Sequence, residues 1–195
     1  MALQIIEYPH PTLRHKSKPL KRIDAELVKM IDEMFELMHE HDGIGLAANQ
    51  VDLPYRLFVL NLSGRDRDPE QRMVFINPVI TKRKGTHEGE EGCLSIPGVW
   101  EKVRRAEEVT VTAYNLQGQE VTYEAKGLFA KAVQHELDHL DGVLFIDRLT
   151  ETGKLSVKES LREFEEKFIR MYENGELPDE LAMMKRIADL EKLRT

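Results

Sequence analysis

Apolar positions recur along this chain with two different periods, and the change of period marks its elements. From Asp24 to His41 the residues Leu27, Met30, Ile31, Met34, Leu37 and Met38 fall three and four apart, which predicts an amphipathic helix with one face on the core. Asp24 suits an N-cap, and Gly43 lies just past the end, where a helix stop belongs. Residues 55–62 (YRLFVLNL) and 73–80 (MVFINPVI) predict strands separated by the charged loop SGRDRDPEQR. A second pair, EVTVTAYNL and QEVTYEA, alternates apolar with polar and turns near Gln117 and Gly118. Between the pairs lies the Gly-rich stretch GEEGCLSIPG, to which the pattern assigns no element. A helix is expected from about Leu128 to Asp141. After Leu149, the residues Leu161, Phe164, Phe168, Met171 and Tyr172 mark another amphipathic helix, stopped near Asn174 and Gly175. Pro178 and Asp179 then open a shorter helical stretch. Strands and helices do not alternate as βαβ units, so an α+β fold is expected.

Composition narrows the class. A length of 195 residues suits one core, and 41% hydrophobic with 32% charged residues is the balance of a soluble globular protein. No apolar run approaches the roughly 20 residues of a membrane span, and the opening segment MALQIIEYPHPTLRHKSKPL lacks the layout of a secretory signal. A soluble cytoplasmic protein without a membrane partner is therefore expected. The net charge of −7 weighs against nucleic acid as a specific partner, since phosphate binding needs clustered Lys and Arg. The one cysteine cannot form an internal disulfide, which fits a reducing compartment.

The chemistry is concentrated in AVQHELDHLDG. It contains H-E-x-x-H as His135, Glu136 and His139. Residues four apart on a helix sit roughly 40° apart around its axis, so both imidazoles leave one face and can share a metal ion. Leu128 and Ala132 lie on the same face, so the histidines continue a partly apolar stripe. Glu136 can reach water at the metal without being a ligand. A catalytic site of this kind needs a third protein ligand. The extended motif with a third His three residues after the Gly is absent, because Phe145 stands there. The remaining candidates are Cys93, His87, Glu159 and Glu163. Cys93 is the strongest: Gly92 allows close backbone approach, and a thiolate is a good ligand for a divalent transition metal. Glu159 and Glu163 stand in a charge-rich helical segment that reads more simply as a solvated face. The expected chemistry is metal-dependent amide hydrolysis.

Three segments, GIGLAANQ (43–50), EGCLS (91–95) and QHELDH (134–139), closely resemble in order and spacing the three signature motifs of the peptide deformylases. The likeness extends over nearly the whole chain to about Leu149, including PHPTLR and the INP that follows the charged loop. It implies an α+β fold of antiparallel β-sheets packed around a central helix carrying H-E-x-x-H, with a C-terminal helix. Residues 1–150 would form the catalytic domain, and 151–195 a helical extension of it. The activity implied is removal of the N-formyl group from N-formylmethionyl nascent peptides, releasing formate. By the same resemblance Cys93, His135 and His139 hold the metal and Glu136 is the general acid/base. Gln50 and the backbone N–H of Leu94 polarise the formyl oxygen, and Ile44, Gly45, Glu91 and Leu128 lie along the substrate. The family's natural metal is usually Fe(II), often replaced by Zn(II), Ni(II) or Co(II) in purified protein.

Two positions depart from the pattern of better-known bacterial members. Trp100 stands where several have Arg, and Lys131 stands where an apolar residue often precedes the first metal histidine by four. Both bear on peptide preference beyond the first residue. Some members use a basic C-terminal helix to dock on the ribosome, but residues 151–195 carry 9 Lys+Arg against 11 Asp+Glu. Transient ribosome contact, packing on the catalytic domain and self-association all stay open for this extension. The competing readings are a metalloprotease with an acidic third ligand, and a metal-stabilised, ribosome-associated binding module without activity. Glu136 and Gln50 speak against the last, because a structural metal site needs neither.

Overall fold

The computed structural model describes residues 3–195; Met1 and Ala2, part of the N-terminal segment considered above, lie outside the described residues. Helix α1 spans Ala25–Glu40, and the Asp24 side chain accepts from the Leu27 N–H at 2.9 Å, the expected cap. Its face of Leu27, Ile31, Met34, Phe35 and Met38 is buried.

Seven strands follow: β1 (Gly45–Ala47), β2 (Leu57–Asn61), β3 (Arg72–Lys84), β4 (His87–Cys93), β5 (Ile96–Arg105), β6 (Glu108–Tyr114) and β7 (Glu120–Lys126). They form a five-stranded sheet, ordered β1-β2-β3-β6-β7, and a two-stranded sheet of β4 and β5. Every pairing in both sheets is antiparallel. The strands expected at 55–62, 73–80 and in the 108–125 region are present, with β3 running on to Lys84. The Gly-rich stretch given no element is instead the heart of the β4–β5 hairpin, and GIGLAANQ contributes the short β1. In β5 the inward residues Ile96 and Val99 are three apart, because Gly98, with φ at +78°, breaks the alternation, which is regular from Val99 to Arg105.

Helix α2, Leu128–Leu140, packs on β1, β2, β6 and β7. Its Val133, Leu137 and Leu140 join Phe58, Phe75 and Val111 in one core cluster, with the Phe58 and Phe75 rings stacked at 4.6 Å. The helix ends at Gly142, whose φ is +72° and where a Cβ would lie 2.4 Å from the Arg14 carbonyl oxygen. Only glycine suits both the left-handed backbone and that approach.

Two helices close the chain, α3 (Glu151–Glu173) and α4 (Glu180–Arg194), separated near Asn174 and Gly175 as the pattern predicts. Helix α4 folds back on the N-terminal half. Arg194, 3% exposed, donates to the Tyr55 hydroxyl at 2.8 Å and to Asp24 at 3.1 Å, and Glu191 accepts from Lys18 at 2.7 Å and pairs with His15 at 2.8 Å. Among the described residues, no helix is long and apolar enough to cross a membrane.

Candidate metal centre

The site forms where the β4–β5 hairpin meets α2. Helical spacing sets the His135 and His139 rings side by side, with centroids 5.1 Å apart. Cys93 ends β4, at a register shift that takes the pairing from Gly92–Trp100 to Cys93–Ile96. The shift delivers the thiol to the helix, with Cys93 Sγ 3.3 Å from His139 Nε2. Donor atoms of Cys93, His135 and His139 all lie within 4.8 Å of one another, the one such group among the described residues. His87, Glu159 and Glu163 are exposed and outside it.

The two histidines sit in different electrostatic surroundings. His139 is fully enclosed; burial, then the charges of His135 and Arg105, press its pKa well below the ordinary value, so it is neutral and able to ligate. His139 Nδ1 is buried without a hydrogen-bond partner. Burial alone would also depress His135, yet hydrogen bonds with Cys93 and Glu91 and the Glu136 charge push it up to about 10. The 3.3 Å between sulfur and nitrogen is close to the about 3.5 Å between two such ligands on one tetrahedral ion. The residues fit a single divalent metal with soft donors.

Glu136 and Gln50 frame the same cavity. Glu136 is 5% exposed; burial raises its pKa to about 7, against the lowering influence of His135 and Arg105. Its Oε2 has no hydrogen-bond partner. Gly45 makes room for this carboxyl, since a Cβ there would sit 2.5 Å from Glu136 Oε1. Gln50 is buried, and its Oε1 accepts from the Ala47 N–H at 2.9 Å. That bond turns the amide NH2 toward Cys93 Sγ and Ser95 Oγ, each at 3.3 Å. Leu94 sits in the turn between β4 and β5, directly after the thiol.

The cavity has a volume of about 580 Å³, and Ile44, Gly45, Leu94, Leu128 and Glu136 are among its walls. Leu128 stands half-exposed, while Glu91 lines the cavity with its side chain turned into the protein. Its carboxylate accepts from Arg105 at 2.7 and 2.9 Å and meets His135 Nδ1 at 2.9 Å. Burial would raise the Glu91 pKa, but those partners hold it at about 2. Glu91 therefore fixes the orientation of the His135 ring. Lys131 also lines the cavity, its ammonium donating to the Glu90 carbonyl at 2.9 Å.

Sequence reasoning missed the support behind the centre. Arg105 also donates to Asp138 at 2.6 Å, and Arg148 forks onto Asp138 with two bonds of 2.5 Å. This line of charges, buried from Glu91 through Arg105 to Asp138 and ending on the exposed Arg148, ties the hairpin to α2. The local sequence gives no signal for it beyond Asp138 lying inside H-E-x-x-H.

Comparison with known proteins agrees with this geometry. The family model for polypeptide deformylase matches residues 2–155. A peptide deformylase of Rhodopirellula baltica is 45% identical over 195 residues, covering 100% of this chain and 96% of the relative. One from Chromobacterium violaceum is 47% identical over 163 residues, covering 84% of this chain and 96% of its own length. Among solved structures, the peptide deformylase of Plasmodium falciparum superposes with a TM-score of 0.83 at 36% identity, covering 90% of this chain and 100% of that one. A peptide deformylase from Synechococcus elongatus, in complex with actinonin, gives a TM-score of 0.78 at 40% identity, covering 83% of this chain and 86% of that one.

Proposed function

The chain belongs to the polypeptide deformylase family, and from that premise we propose that it hydrolyses the N-formyl group from the formylmethionine of newly made polypeptides, releasing formate. The observation that carries this reading is the grouping of the Cys93, His135 and His139 donors beside a cavity lined by Cys93, His135, Gln50 and the unpartnered Glu136 carboxyl.

In this reading Cys93, His135 and His139 hold the metal. When bound, the ion supplies Lewis acidity that makes water more acidic and polarises the formyl carbonyl. Glu136 takes a proton from the attacking water and returns it to the amine nitrogen as the C–N bond breaks, leaving formate and a free N-terminus. A carboxyl pushed up to about 7 is matched to both halves of that exchange. The Gln50 amide and the Leu94 N–H donate to the formyl oxygen as it gains negative charge, each worth a few kcal/mol in comparable sites. Ile44, Gly45 and Leu128 flank the methionine, and Glu91 fixes the wall on which it rests.

We take Fe(II) as the ion carried in the cell, with Zn(II), Ni(II) or Co(II) able to replace it, because a His₂Cys set suits all four. Residues 1–150 serve as the catalytic unit and 151–195 as an extension of the same domain, supported by the Arg194 bonds to Tyr55 and Asp24 and by Leu190 packing on the core that holds α1. The protein is taken as cytoplasmic, meeting nascent chains through transient ribosome contact. That contact would not rest on a basic anchor: Arg194 is buried, Arg186 pairs with Asp52, and Lys167 bonds Glu7 at 2.5 Å.

The test is anaerobic purification with metal analysis, then formate release from a formyl-methionyl peptide beside cleavage of an internal peptide. One divalent ion per chain and formate from the first substrate alone are expected; internal cleavage alone would favour a protease. Glu136→Gln should keep the metal and lose turnover by on the order of 10²–10⁴-fold. Cys93→Ala should lose both.

A further inference from the structure

Residues 6–17 lie outside the three motifs and are bonded to each of them. The Ile6 N–H donates to the Gln50 carbonyl at 2.8 Å, and the Tyr8 N–H to the Ser95 carbonyl at 2.9 Å. The Ser17 N–H donates at 2.9 Å to the carbonyl of Leu140, the last residue of α2. The densest contact runs through Asn49, the residue before Gln50. Asn49 is 0% exposed and does not line the cavity. Its Oδ1 accepts from the Ser17 hydroxyl at 2.7 Å, and its NH2 donates to the carbonyls of Thr12 at 3.2 Å and His15 at 2.8 Å.

Residues Ala48–Val51 form one turn of 3₁₀ helix. The internal hydrogen bonds of such a turn have poor geometry, so its shape depends on what holds it from outside. It closes on Asp52, whose φ of +58° is uncommon for a residue with a side chain. The Thr12 hydroxyl donates to the Asp52 carboxylate, and Arg186 of α4 donates to the Asp52 carbonyl at 2.8 Å. A buried amide with its donors and acceptor satisfied by one segment specifies a single geometry, which an apolar residue of the same size would not. The direction of the Gln50 side chain, one residue on, follows from that geometry. We propose that Asn49 is a positioning residue for deformylation: clasped by Thr12, His15 and Ser17, it fixes the turn that aims the Gln50 amide at the formyl oxygen. The proposal rests on the deformylase reading and gives a role in it to a residue that touches neither metal nor substrate.

The test is a double-variant cycle on the metal-loaded protein with formyl-Met-Ser-Ser as substrate. Asn49→Ala should lower kcat by about ten- to a hundredfold with KM and metal content unchanged, because a displaced donor weakens binding of the transition state alone. In a Gln50→Ala background the same substitution should change kcat by less than about twofold. Ser17→Ala removes one of the bonds to Asn49 and leaves the others. It should give a smaller loss with the same dependence on Gln50, and it carries the test if Asn49→Ala does not fold. Amide hydrogen exchange is a second readout, independent of turnover. The Ala47 N–H is bonded to Gln50 Oε1 and the Ile6 N–H to the Gln50 carbonyl, so both should lose protection in Asn49→Ala while the interior of α2 keeps its own. An unchanged kcat, an equal loss with and without the Gln50 amide, or protection lost evenly through α2 would overturn the proposal. Absence of formate from the wild type would instead defeat the deformylase reading, while exchange at Ala47 and Ile6 would still test the clasp.

Discussion

Replacing Arg105 with methionine should destabilise the protein by about 3–5 kcal/mol, the usual cost of stripping one partner from a buried ion pair. The structure shows where that cost falls. The Arg105 side chain is 5% exposed and faces Glu91 at 3% and Asp138 at 11%. Asp138 would keep the two bonds from Arg148, so it is not orphaned. Glu91 would lose bonds of 2.7 and 2.9 Å and keep only His135. Two charge-assisted bonds at about 1.5–3 kcal/mol each give about 3–6 kcal/mol, which spans that range. For a domain of this size that corresponds to a midpoint lower by about 6–20 °C. Thermal unfolding followed by circular dichroism would measure it, with metal saturating and again with chelator, so that linkage to metal binding is separated from the pair itself. The double variant Glu91→Gln/Arg105→Met should cost at least about 1 kcal/mol less than the sum of the single changes. A loss below about 1 kcal/mol in both metal states, or strict additivity, would show that this pair does not secure the hairpin.

Gly45→Ala should lower formate release by about 10²-fold at unchanged metal content, because the new Cβ would meet Glu136 Oε1 at 2.5 Å and displace the carboxyl; full activity would refute this. Gly142→Ala should cost at least about 1–3 kcal/mol in urea unfolding, since the φ of +72° is unfavourable and the Arg14 carbonyl in its path is backbone. The C-terminal helix should loosen in acid. Burial would raise the Glu191 pKa, but the bonds from Lys18 and His15 hold it below 4.5, so its stabilisation is complete above about 4.5 and is lost as the pH falls through the folded value. Amide protection in α4 should therefore fall faster than in α2 between about pH 6 and pH 3, and Glu191→Gln should remove the difference.

What the sequence reveals of this molecule depends on how far apart the interacting residues stand. Helix α1 and its Asp24 cap are decided within three residues, and the pairing of His135 with His139 within four, so both are legible. The β4–β5 hairpin is not. Gly98 breaks the alternation at the start of β5, the inward row beyond it includes the charged Glu101 and Arg105, and β4 leaves most of its polar residues in solvent, so neither strand shows the apolar period that identifies one. The charge line behind the metal centre joins residues 14, 33 and 10 apart in sequence, which no local pattern records. A similar limit applies to α4. The near-neutral charge of the extension leaves ribosome contact, packing and self-association open, and only the tertiary structure shows Arg194 buried against Tyr55 and the start of α1.

The three motifs are incomplete one by one, and the fold explains why they occur together. QHELDH places two nitrogens on one helix face, but the sulfur comes from EGCLS, delivered by the register shift after Gly92. Glu136 belongs to the helix, yet its environment is made by GIGLAANQ: Gly45 lacks the Cβ that would occupy the carboxyl's place, so β1 can close over α2 and bury the acid. That burial raises the pKa and leaves Oε2 without a competing donor, and a proton carrier needs both. The proposed oxyanion donors are divided in the same way, with the Gln50 amide from the first motif and the Leu94 N–H from the second. The Gln50 NH2 faces Cys93 only because the Ala47 N–H, three residues earlier, occupies its carbonyl oxygen. Each proposed role, metal binding, proton transfer and charge stabilisation, thus draws on two motifs, and a change in any one of them reaches at least two of the roles.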